Sequence, residues 1–268
     1  MNNNQPIAIG GLGGSGTRLF AQIMYLFDVY MGNNINDTDD NLFITFLFKR
    51  KEILNISKND FNIFFNIFEK KIFGIELNRK ERKIIKYIYN NKTKQDYLYD
   101  RDGTFRDLLN KTVSKKFTNW GWKEPNTHIL LPFLLKRYPR IKYIHIMRNG
   151  LDMAFSKNKN QIKFWTNYKP TPKNMLHYWT KIHKKVFKLQ KKYPDNIIII
   201  DYDNFCLNPD KNIPKLLNFL NFTKNDDIIK EIKSIIKIPK TIDRYKSNDM
   251  TQFNDTDLEF VKKLGYIQ

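Results

Sequence analysis

The sequence predicts an α/β fold built on a central parallel sheet, with a helical insertion at about residues 42–116. Three observations carry that expectation. Residues 6–10 form a short apolar run ending in glycine, which reads as a buried strand. Residues 17–31 follow it, with Leu19, Ile23, Leu26, Phe27 and Tyr30 at helical spacing. Residues 141–147 and 197–200 are two more apolar runs, and the four consecutive isoleucines of the second suit a strand covered on both faces. Helical stretches at 126–137, 173–193 and 212–221 alternate with these strands, which implies βαβ units.

Residues 42–116 break that alternation. They are rich in Phe, Ile, Asn and Lys, helical in period and without a convincing strand, so they read as helices packed beside the sheet. With no internal repeat and no proline- or serine-rich linker, residues 1–268 are expected to form a single domain. The 41% hydrophobic and 15% aromatic content excludes a disordered chain despite the charge. Cys206 is the only cysteine, which excludes an intrachain disulfide and a multi-cysteine zinc site. The first 16 residues lack a signal-peptide pattern, and no apolar run approaches the length of a membrane span. A cytoplasmic protein is the expectation.

Lys and Arg total 47 against 27 Asp and Glu, a formal net charge of +20, which implies an anionic partner without naming it. Frequent Asn, Lys and Ile also fit a biased genome composition. The basic residues are spread along the chain, in runs such as 79–83 and 181–192, and no zinc-finger or RNA-binding signature accompanies them. The charge alone leaves a non-enzymatic nucleic-acid-binding protein as an alternative, but without such a signature no nucleic-acid partner is expected.

Chemistry concentrates first in the loop after the opening strand. Gly10, Gly11, Gly13, Gly14 and Gly16 allow close approach of a ligand, Ser15 and Thr17 add hydroxyls, and Arg18 adds charge at a helix start. This is a phosphate cradle. Gly11, Gly13 and Gly16 satisfy a dinucleotide pattern, but Asp37, Asp39 and Asp40 follow Asn-rich sequence rather than a second strand. Gly11 and Gly16 also match the ends of a phosphate-binding kinase loop. Thr17 and Arg18 then stand where its Lys and magnesium-binding hydroxyl belong, which weakens a nucleotide-kinase alternative.

A second anion site follows the strand at 141–147. Arg148 and a helix-borne Ser156 would lie at the carboxyl edge of a parallel sheet, where ligands bind, and can grip one anion from two sides.

Gly14, Ser15, Gly16 and Thr17, paired with Arg148 and Ser156, resemble the motifs of sulfotransferases that use 3′-phosphoadenosine 5′-phosphosulfate (PAPS). Trp120, Lys123, Glu124 and Pro125 resemble a Trp-x-x-Lys-Glu/Asp-Pro block of bacterial members. Residues 202–209 resemble a strand-to-helix turn, and Arg244, Tyr245 and Lys246 resemble a late loop that covers the nucleotide. The resemblance implies a three-layer P-loop-like fold and transfer of a sulfuryl group from PAPS to a hydroxyl or amine acceptor. It further implies PAP as product and no metal. By the same resemblance, Gly13, Gly14, Ser15, Gly16, Thr17 and Arg18 hold the 5′-phosphosulfate. Arg148, Ser156, Arg244, Tyr245 and Lys246 serve the 3′-phosphate end. Many members carry a basic residue where this chain has Gly14, so Arg18 or Lys123 is expected to take over its role at the transferring group.

An acceptor hydroxyl needs a general base within hydrogen-bond reach. Asp40, 22 residues after Arg18, Glu124 and His128 are the candidates. Asp40 reads equally as part of an acidic cap on the helix near Asn41, Glu124 as an ion-pair partner of Lys123, and His128 as a packing residue. Lys163, Trp165 and Tyr168 are candidates to line the acceptor pocket. A small molecule is expected there, a carbohydrate by resemblance alone.

Overall fold

Strand alternation sorts the side chains of this chain into two cores, one on each face of a sheet. The computed structural model describes residues 5–91, 101–110 and 116–267. In chain order the elements begin with β1 (Ile7–Gly11), α1 (Thr17–Tyr25), β2 (Val29–Tyr30), α2 (Leu42–Phe48), α3 (Lys58–Ile72), α4 (Arg79–Asn90) and α5 (Arg101–Leu109). They continue with β3 (Asn119–Lys123), α6 (Thr127–Arg137), β4 (Lys142–Met147), α7 (Gly150–Ala154), α8 (Asn160–Trp165) and α9 (Pro172–Lys192). The last are β5 (Ile197–Asp201), α10 (Tyr202–Leu207), α11 (Pro209–Leu220), α12 (Asp226–Ile235) and α13 (Asp255–Lys263), with a 3₁₀ turn at Arg244–Ser247 before α13.

The five strands are all parallel, in the order β2-β3-β1-β4-β5. Ile7, Ile9, Ile144 and Ile146 face a core built from α1, α10, α11 and α12. Ala8, Trp120, Trp122, Tyr143 and Ile197 face the other, filled by helices between α2 and α9 and by α13. Helices on both faces of a parallel sheet make the three-layer, P-loop-like architecture.

Two strands escape the sequence reading. The helix expected over 17–31 stops at Tyr25, where Asp28 turns to φ +52° and the chain re-enters the sheet as β2. A two-residue strand has no period to read. β3 was visible only as a motif, because a glycine between two tryptophans signals neither strand nor helix. Between β2 and β3 the described residues form helices and a 3₁₀ turn. Residues 92–100 and 111–115 of that stretch lie outside the described residues.

Register brings the chemistry to one edge. Ile9 pairs with Lys123, Gly11 with Ile146 and Met147 with Asp201, so the glycine loop, Lys123, Arg148 and Tyr202 all leave the carboxyl ends of adjacent strands. That is where parallel sheets bind ligands.

Candidate active site

The glycine loop runs from β1 into α1. Gly16 takes φ +97°, and a Cβ there would lie 2.2 Å from the Tyr202 ring. Gly11 lies against β4, where a Cβ would meet the Ile146 carbonyl oxygen at 2.5 Å. Glycine therefore lets the loop fold back between two strands. Inside it Ser15 is buried, and its Oγ has no hydrogen-bond partner among the described residues. A buried hydroxyl left unpaired is costly, and an incoming anionic oxygen would satisfy it. No acidic side chain occupies the first turn of α1, so the helix dipole favours an anion there. Gly13 and Gly14 sit beside Asn158, Gly13 beside Gln161 as well, and Thr17 is buried at the helix start.

Arg148 follows β4 and is mostly buried. Its Nε donates to both Asp203 oxygens, at 3.0 and 3.3 Å, and one terminal nitrogen donates to Thr241 Oγ1 at 2.6 Å. Its guanidinium stands 5.8 Å from the centre of the Tyr202 ring. Tyr202 thus lies against both the glycine loop and Arg148, and joins them into one surface. Ser156 lies just beyond α7 rather than on it, because that helix ends at Ala154. Its Oγ accepts from the Asn158 backbone, in the segment that reaches Gly13.

The late segment closes on the same corner. The Asp152 carboxylate accepts the backbone N–H groups of Asp243 and Tyr245, both at 3.0 Å. Arg244 reaches the Asp152 carbonyl at 3.5 Å, while Lys246 is exposed and pairs with Asp243. The structure therefore brings Arg148 and the turn at Arg244–Ser247 together around α7.

On the other side of the loop, three backbone bonds stitch β3 to its neighbours. Gly11 N donates to the Pro125 carbonyl, Glu124 N to that of Ile9, and Asn41 N to that of Lys123. Lys123 is buried and donates to Asp40 Oδ1 at 2.5 Å and to the Thr38 carbonyl at 2.7 Å. Asn41, not Asp40, caps α2, accepting from Phe43 N and Ile44 N. Asp40 is thereby left to Lys123. Arg18 turns away from the loop: its side chain is 57% exposed and pairs with Asp39 at 3.4 Å.

Glu124 does not pair with Lys123. It accepts from Asn126 Nδ2 at 2.7 Å, and Asn126 in turn accepts from Trp165 Nε1 at 2.8 Å. Complete burial pushes its carboxyl up to about 7, against the opposing attraction of Lys49. His128 lies under the loop with Nδ1 3.2 Å from the Pro125 carbonyl, and burial pulls its imidazole down to about 4. Lys163 and Tyr168 are exposed, whereas Trp165 is buried.

Sequence reasoning missed Asp203, Thr241, Asp152 and Asn126, which orient the candidate site residues rather than stand among them. Asp203 alone had a signal, its place beside Tyr202 in the strand-to-helix turn. Among the described residues no helix is long and apolar enough to cross a membrane, and no cluster of His, Cys, Asp and Glu is arranged to hold a metal ion.

A family model described as the sulfotransferase family matches residues 6–226. Among solved structures, the sulfotransferase domain of the Synechococcus PCC 7002 olefin synthase is similar at TM-score 0.52 and 12% identity, over 100% of this chain and 97% of that one. The sulfotransferase domain from the curacin biosynthetic pathway is similar at TM-score 0.52 and 13% identity, over 100% and 99%. Likeness at this identity bears on the fold alone. No curated protein matches the chain.

Proposed function

This chain belongs to the sulfotransferase family, and we propose that it moves a sulfuryl group from PAPS to a hydroxyl or amine of a small molecule or carbohydrate. The family membership supports sulfuryl transfer in general. The observation that carries the choice of donor is the surface joined by Tyr202, with an unpartnered buried Ser15 hydroxyl at one end and an oriented Arg148 at the other. A nucleotide bearing phosphate groups at both ends fits such a surface. The glycine loop, Ser15 and Thr17 would hold the phosphosulfate end. Arg148 and Ser156 would hold the 3′-phosphate, with Arg244, Tyr245 and Lys246 closing over it.

When bound, PAPS supplies a sulfuryl group on a phosphate leaving group. Around it the protein's work is positioning and charge stabilisation, as in phosphoryl transfer. Asp40 takes the proton from the acceptor hydroxyl. Lys123 is held at 2.5 Å from Asp40 by the bond from Asn41 N to the Lys123 carbonyl, so proton removal and positive charge meet at one point. Glu124 lies deeper, bonded to Asn126, and His128 faces the core; neither is as open to an acceptor as Asp40.

Isothermal titration with PAP tests the donor. Micromolar binding that weakens in Arg148→Ala is expected; no binding would reject PAPS as the donor. A panel of hydroxyl and amine acceptors with labelled PAPS then identifies the acceptor class.

A further inference from the structure

Three of the four histidines of the chain converge in the core behind the glycine loop. His128 comes from α6, His145 from the centre of β4 and His183 from α9, and all three are buried. The His145 ring centre is 6.2 Å from that of His128 and 5.2 Å from that of His183. None of the three Nε2 atoms has a hydrogen-bond partner among the described residues. Three unpaired ring nitrogens gathered in one core call for a common partner.

The Nδ1 contacts fix what each Nε2 requires. His128 Nδ1 faces the Pro125 carbonyl at 3.2 Å, and His183 Nδ1 faces the Trp179 carbonyl at 2.7 Å. A carbonyl oxygen only accepts, so both Nδ1 atoms carry the proton and both Nε2 atoms are bare acceptors. Two acceptors cannot bond each other. His145 Nδ1 meets the Tyr143 hydroxyl at 2.9 Å. If that hydroxyl donates, His145 Nε2 carries a proton and becomes a donor. The cluster then presents two acceptors and one donor, none within direct reach of another.

We infer that these three imidazoles hold one internal water molecule, which donates to His128 and His183 and accepts from His145. Water carries two donors and a lone pair on a single atom, and interior waters typically make about three such bonds. Bridging water is also the usual resolution when polar atoms face one another beyond hydrogen-bond distance. The arrangement sets all three tautomers and the Tyr143 hydroxyl at once. Burial keeps the three rings neutral, as acceptance and donation here require. The site lies against the loop: the Pro125 carbonyl that receives His128 also receives the Gly11 N–H at 2.9 Å, and the Tyr143 hydroxyl lies next to Gly10. The water is thus part of the floor on which the loop rests, and its assignment does not depend on the identity of the sulfuryl donor.

Two measurements on the unaltered protein test it. A high-resolution crystal structure should show one ordered water between the three Nε2 atoms. Long-range ¹H–¹⁵N correlation spectra at pH 7 should show Nδ1–H tautomers for His128 and His183 and an Nε2–H tautomer for His145. A stoichiometric transition metal by mass spectrometry, an empty space in the density, or an Nε2–H tautomer at His128 or His183 would each overturn the inference.

Discussion

Lys123 and Asp40, 83 residues apart, form an ion pair at 2.5 Å in which the lysine is almost fully buried. The backbone dictates the meeting. Asn41 N bonds the Lys123 carbonyl, and the side chain of the same Asn41 caps α2, which leaves its neighbour Asp40 turned toward the lysine. A buried cation needs such a partner, because its desolvation would otherwise cost several kcal/mol. The same arrangement places a carboxylate and an ammonium together beside the glycine loop.

Replacing Asp40 by Asn keeps the shape and an acceptor for Lys123 but removes the proposed base together with the lysine's counter-charge. We expect kcat to fall by roughly 10²- to 10⁴-fold, with PAP affinity near that of the unaltered protein. Steady-state transfer from labelled PAPS, with PAP titration beside it, reads both quantities. A near-normal kcat would show that another group takes the proton.

Arg148→Lys separates charge from shape. Lysine restores the positive charge but cannot span Asp203 and Thr241 as the planar fork does. PAP binding should weaken by about tenfold or more, equivalent to about 1.4 kcal/mol. An unchanged dissociation constant in calorimetry would remove Arg148 from the nucleotide site.

Much of this was legible in the sequence because it is local. The loop from Gly10 to Arg18, the strand before Arg148 and the strand of isoleucines each announce themselves through glycine chemistry or an apolar run. β2 did not, since two residues inserted after a helix carry no pattern. The partners of the charged groups were equally hidden. Strand alternation argues against the adjacent Glu124 as the partner of Lys123, but nothing near the lysine in sequence points to Asp40, 83 residues away. Asp152 bonding Asp243 and Tyr245 spans about ninety residues, and only the packing of α7 against the late turn brings them together.

Glu124 makes stability depend on pH. Its folded value of about 7 lies above the ordinary 4.5, so the native chain keeps a proton that the unfolded chain gives up. Its stabilising contribution is full below pH 4.5 and is lost as the pH rises through 7. His128, held near 4 instead of 6.5, acts oppositely: stability falls as the pH drops from 6.5 toward 4. Glu124→Gln keeps the bond to Asn126 and removes only the titration. Urea unfolding at pH 5 and pH 8 should show the variant gaining on the unaltered protein by about 2.5 kcal/mol at the higher pH. An equal difference at both values would mean that the carboxyl is not raised.

Gly16 and Tyr202 allow the loop's two constraints to be measured separately. Alanine at position 16 meets a backbone of φ +97° and a Tyr202 ring 2.2 Å from the new Cβ. The first is a conformational penalty of roughly 1–2 kcal/mol that no neighbour relieves. The second is a clash that disappears with the ring. Gly16→Ala should therefore destabilise the protein more in its normal background than in Tyr202→Ala, leaving a residual of about 1–2 kcal/mol in the latter. A thermal-unfolding double-mutant cycle reads the coupling directly. Additive effects would mean that the loop does not rest on Tyr202, and the joining of the two anion sites through that ring would fall with it. A positive coupling with weakened PAP binding in Tyr202→Ala is the expected result, since the ring is what holds the loop and Arg148 in one surface.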